Sequence, residues 1–149
     1  MNHIANFYPI NDLLATAGQP APEDFAEIAT AGYEVVVNLA LPIDSSAIED
    51  EDETVIGLGL TYIHIPVDYY RPDLKSLELF FDVMQMLAAR KTFLHCAMNK
   101  RVSAYLYLYQ KYILQMPEEQ ARTLMDKVWQ PPDVWLQLFE EVDNWQISK

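Results

Sequence analysis

The sequence predicts an α/β fold: a central, mostly parallel sheet flanked by helices, with a helical C-terminal third. Three observations lead there. Short apolar runs such as Tyr33-Glu34-Val35-Val36-Val37-Asn38-Leu39-Ala40 alternate with helical segments through the first two thirds of the chain. The most regular of these runs is β-branched through Val35-Val36-Val37, the pattern of a parallel strand covered on both faces. Beyond Arg101 the chain reads as successive helices.

Taken in order, Leu13 to Ala17 reads as a short strand, and Gly18-Gln19-Pro20 as a turn, because Pro fixes φ and Gln can donate to nearby backbone. Pro22-Glu23-Asp24 opens a helix with acidic residues in its first turn, running to Ala31 and stopping at Gly32. The strand of Tyr33 to Ala40 follows. The acidic stretch from Asp44 to Glu53 reads as a solvated face, with Ser45 and Ser46 capping a surface helix that carries Ile48, Val55 and Ile56 inward. Leu60 to Val67 is the next strand, Leu74 to Arg90 has helical periodicity, and Thr92-Phe93-Leu94-His95 is a short buried strand. Helices over Val102 to Gln115, from Pro117-Glu118-Glu119 and from Pro132-Asp133 complete the chain. Trp129, Trp135 and Trp145 are spaced for packing within that helical part.

The 149 residues suit one domain spanning 1–149, and about half of them are apolar, enough for a continuous core without disulfides or metals. A net charge of −12 argues against nucleic acid or an anionic membrane as partner, since both select clustered Lys and Arg. Neither a basic, apolar leader nor a membrane-spanning run is present, so a cytoplasmic protein is expected. No His/Cys cluster has zinc spacing and the acidic run lacks the order of a calcium loop, so neither metal nor organic cofactor is expected. The oligomeric state is left open.

The chemistry concentrates in Phe93-Leu94-His95-Cys96-Ala97-Met98-Asn99-Lys100-Arg101-Val102-Ser103. A buried strand ends at the single cysteine, and a helix begins at an arginine. In open α/β sheets, ligands sit beyond the carboxyl ends of strands. A tight strand-to-helix loop turns backbone N–H groups into an anion nest, and the helix N-terminus adds positive charge. That field favours a thiolate and holds an oxyanion, which a planar Arg fork can grip at two oxygens.

His95-Cys96 followed by Arg101 resembles the His-Cys…Arg signature of protein tyrosine and dual-specificity phosphatases. Together with Gly18-Gln19-Pro20, Val36-Val37-Asn38-Leu39 and Ile65-Pro66-Val67-Asp68, it resembles a bacterial family of small tyrosine-phosphatase-like proteins over roughly residues 14 to 115. The resemblance implies Cys96 as nucleophile, Arg101 as phosphate clamp, Asp68 as general acid with Asp73 in reserve, and His95 supporting the cysteine. It places Ala97, Met98, Asn99, Lys100 and Ser103 around the substrate; apart from the resemblance, Tyr69, Tyr70 and Arg71 are candidates for the rim. The implied partner is a phosphorylated small molecule or phosphoprotein. His64 reads as structural.

The loop departs from the well-studied phosphatases in having four residues between Cys96 and Arg101, none of them glycine. Asn99 can take glycine's place, because Asn tolerates the left-handed conformation. The same six-residue loop length occurs in rhodanese-like sulfurtransferases, although Ala97 stands where those usually carry a basic residue. A catalytically inactive phosphate-binding module is the second reading, and the sulfurtransferase the third.

Overall fold

The computed structural model describes residues 1–147. The strands are β1 (Tyr8–Asn11), β2 (Leu14–Ala17), β3 (Val35–Asn38), β4 (Thr61–His64) and β5 (Thr92–His95). The helices are α1 (Asp24–Thr30), α2 (Glu51–Gly57), α3 (Leu74–Met86), α4 (Lys100–Tyr112), α5 (Glu118–Ala121), α6 (Thr123–Val128) and α7 (Asp133–Ile147). The sheet order is β1-β2-β5-β3-β4, with β1 antiparallel to β2 and the other neighbours parallel. The expected mostly parallel α/β sheet and helical C-terminal third are both present.

Strand alternation divides the core between two faces. Val36, Phe93, Ala15 and Ala17 meet Phe25 and Ile28 of α1 and Val55 of α2. Val35, Val37 and Leu94 meet Leu77, Phe80 and Met84 of α3, Val102 and Leu106 of α4, and Trp135 and Leu138 of α7. Complete burial of a side chain such as Phe93 or Leu94 stabilises by about 1.5–3 kcal/mol. β5 runs through the middle of the sheet, so its end is the best-supported point on that edge.

Local signals fix several boundaries. Gly32, at φ +95°, ends α1 in a conformation other residues resist. Asp73 Oδ1 accepts the Ser76 N–H at 2.9 Å and caps α3, so this residue has a structural task. The edge strand β1, which contains Pro9, was not expected; it pairs on one side only, where proline is tolerated. Ile56, expected inward, is 60% exposed, while Val55 alone of that pair reaches the core.

The parallel strands end in register: Ala17 lies beside His95, His95 beside Asn38, and Asn38 beside His64. The turns that follow therefore converge along one edge of the sheet. No helix among the described residues is long and apolar enough to cross a membrane.

Candidate active site

Cys96 follows β5 directly and Arg101 lies in the first turn of α4, so the loop 96–101 bends from the sheet into a helix N-terminus. Asn99 makes the bend at φ +67°, the left-handed geometry expected of it. Its side chain is buried beneath the loop, where Nδ2 donates to Asn6 O at 2.9 Å and Thr16 Oγ1 at 3.0 Å. Asn6 Nδ2 in turn donates to Met98 O at 2.8 Å.

The Gly18-Gln19-Pro20 turn presses against the same loop. Gln19 N–H donates to Ala97 O at 2.9 Å, and a Cβ at Gly18 would stand 2.5 Å from that carbonyl. Only glycine permits this approach. With Met98 O and Ala97 O bound from behind, the backbone N–H groups of Ala97, Met98, Lys100 and Arg101 have no acceptor among the described residues. They are available to an anion.

These elements form an open pocket of about 340 Å³. Cys96, Ala97, Met98, Lys100 and Arg101 line it, facing Asp44, Ser45, Ser46, Tyr69 and Tyr70. Cys96 lies at its floor, 0% exposed. Arg101 is 4% exposed and firmly held: Nη1 donates to Val67 O at 3.0 Å and Nη2 to Asp44 Oδ2 at 2.6 Å. Its remaining N–H groups have no acceptor among the described residues and can grip an oxyanion. Lys100 Nζ lies over the Trp129 ring, 5.8 Å from its centroid.

Not every residue expected at the site lines it. Asn99 supports the loop from below, and Ser103 Oγ donates to Lys100 O at 3.0 Å within α4; neither lines the pocket. Asp68 lies beside Tyr69 on the rim segment, outside the pocket lining, with Oδ1 accepting the Tyr70 N–H at 2.9 Å. Arg71 is absent from the lining, whereas Tyr69 and Tyr70 are part of it. His64 Nε2 lies 2.6 Å from Ala40 O, a structural contact.

Two carboxylates of the acidic stretch expected to be a solvated face lie at the site instead. Asp44 is the Arg101 partner. Glu51 is buried with its Oε2 2.7 Å from His95 Nε2, while Oε1 accepts Gln19 Nε2–H at 2.7 Å. Burial by itself raises the Glu51 carboxyl, but the bond and charge of His95, with Gln19 and His64 added, hold it below the ordinary carboxylate range. Their sequence signal was only position: both follow the β3 strand, whose end adjoins the end of β5.

His3, Asp24 and Glu27 also bring potential metal-ligating atoms within 4.8 Å of one another. They already pair among themselves, His3 Nε2 lying 2.7 Å from Asp24 Oδ1, and they do not line the Cys96 pocket.

Fold and loop together define a tyrosine-phosphatase-like protein. A candidate phosphatase of the DUF442 type from Shewanella putrefaciens CN-32 superposes with a TM-score of 0.85 at 30% identity, over 96% of this chain and 92% of that one. The chain belongs to that bacterial tyrosine-phosphatase-like family. TpbA of P. aeruginosa, solved as a Cys-to-Ser variant with phosphotyrosine, matches at 14% identity and TM-score 0.71, over 96% of this chain and 89% of that one. PTPMT1, solved with PI(5)P, matches at 12% identity and TM-score 0.76, over 95% and 97%. No family model matches the sequence, and no curated protein matches it.

Proposed function

We propose that the protein is a cysteine-dependent phosphatase acting on phosphomonoesters. The observation that carries this reading is the pocket lined by both Cys96 and Arg101, with loop backbone N–H groups that have no acceptor among the described residues. Such a nest stabilises a thiolate before reaction and the equatorial oxygens of a transferring phosphoryl group during it.

In the first step the Cys96 thiolate attacks phosphorus, the ester P–O bond breaks, and the leaving oxygen takes a proton from Asp68. Arg101 holds two oxygens of the phosphoryl group. In the second step water attacks phosphorus, its proton passes to Asp68, and the S–P bond breaks to return thiolate and phosphate. For Asp68 to act, its carboxyl must leave the Tyr70 N–H and turn over the pocket that its neighbours Tyr69 and Tyr70 already line. A phosphorylated small molecule or phosphoprotein fits the reading, in keeping with phosphotyrosine bound to TpbA and a phosphoinositide bound to PTPMT1.

A second reading is a phosphate-binding module without turnover. The position of Asp68 favours it, since among the described residues Asp44 is the one carboxylate lining the pocket, and it is tied to Arg101.

Hydrolysis of p-nitrophenyl phosphate from about pH 5 to about pH 8 separates the two. Activity that Cys96→Ser abolishes and Asp68→Asn lowers by about 100-fold supports the phosphatase. Folded wild type that binds phosphate without turnover supports the module.

A further inference from the structure

Behind the pocket floor lies a buried charge that the proposed phosphoryl transfer does not use. Glu51, at the head of α2, is 6% exposed and sits against His95, which is 0% exposed. A carboxylate is retained in such a place only when paired and hydrogen-bonded, because its desolvation costs several kcal/mol. Both Glu51 oxygens are engaged, one by His95 and the other by the Gln19 side chain.

The opposite edge of the His95 ring meets the nucleophile's own peptide: Nδ1 lies 3.0 Å from Cys96 O. A carbonyl and an ionised carboxylate can only accept hydrogen bonds. The ring satisfies both partners only when each nitrogen carries a hydrogen, which makes it a cation.

We propose that Glu51 is a positioning residue for Cys96: by holding His95 doubly protonated against the Cys96 peptide, it fixes a positive charge behind the thiol and favours the thiolate. The ring lies between Glu51 and Cys96, so the cation is the nearer charge. Gln19 belongs to the same device, orienting Glu51 with its side chain while its backbone N–H supports Ala97 O. Other charged groups face the site from separate elements. Arg101 and Lys100 line the pocket from α4, Asp44 offsets Arg101 from the segment after β3, and His64 of β4 acts on Glu51. With Arg101 locally neutralised by Asp44, the His95 charge matters more to the thiol.

This inference rests on reading Cys96 as a reactive thiol but on no particular substrate. Because the chain has one cysteine, ultraviolet thiolate absorbance, taken as the difference from Cys96→Ser, follows that group alone. Glu51→Gln keeps a hydrogen-bonding side chain and removes the charge. Its thiolate midpoint is expected about one pH unit above wild type, with a similar rise in His95→Asn and no further rise in the double variant. A midpoint unchanged in folded Glu51→Gln overturns the proposal.

Nitrogen NMR of the wild-type ring decides the matter if that variant does not fold. Both His95 nitrogens protonated wherever the thiolate persists is the expected result, and a singly protonated ring there overturns the proposal. Neither measurement uses a phosphate ester, so absence of p-nitrophenyl phosphate hydrolysis would count against the phosphatase reading alone.

Discussion

Asp44 Oδ2 accepts a hydrogen bond from Arg101 Nη2 at 2.6 Å, so the guanidinium that would clamp an oxyanion already holds an internal carboxylate. Removing Asp44 leaves Arg101 nearly buried with Val67 O as its remaining acceptor. Asp44 is itself 20% exposed, so the loss falls below that of a fully buried pair, at about 1–3 kcal/mol. A bound anion restores the missing partner. Inorganic phosphate is therefore expected to raise the melting temperature of Asp44→Ala by more than that of wild type. An equal or smaller rise would mean that Asp44 orients Arg101 for the anion and does not compete with it.

Gly18 lies against the outside of the Cys96 loop, where a Cβ would sit 2.5 Å from Ala97 O and 3.0 Å from Ala5 O. Both are backbone atoms and cannot rotate away. Gly18→Ala is expected to cost about 1–3 kcal/mol in urea unfolding and to weaken phosphate binding measured by calorimetry, since relief requires the loop to move. Retained stability with retained phosphate affinity would show that the loop has slack at this point.

The Glu51 carboxyl is held below its ordinary value of 4.5. A carboxyl lowered in the folded state stabilises fully above its unfolded value and loses that contribution as pH falls through the folded one. Wild-type stability is therefore expected to drop as pH falls below about 4.5, and Glu51→Gln to show a shallower drop over the same window. Urea midpoints measured along an acid series check this. Parallel acid limbs would place the wild-type loss in other groups.

The strand, loop and helix around Cys96 were legible because each has a local cause. Thr92 to His95 is a short apolar run, and a helix does begin beside Arg101, at Lys100. Asn99 was readable as the left-handed residue because few side chains tolerate that region. Asp44 and Glu51 were not readable, since a run of carboxylates carries no mark of which ones turn inward. Arg101 and His95, 57 and 44 residues further along, decide it. The buried roles of Asn99 and Ser103 were missed for a related reason: adjacency to the cysteine in sequence does not say whether a side chain faces the pocket or the loop's underside.

The ties between the Cys96 loop and the beginning of the chain also bear on when the site comes into being. Asn6 and the loop exchange hydrogen bonds across 92 and 93 residues of sequence, and the Gly18 turn is itself bonded to Ala5. Contacts so distant in sequence, like the β2–β5 pairing beside them, carry a loop-closure cost and form after local helices. The anion nest is therefore a late product of folding. A partly folded or newly synthesised chain exposes an ordinary cysteine, and reactivity arrives only with the completed fold.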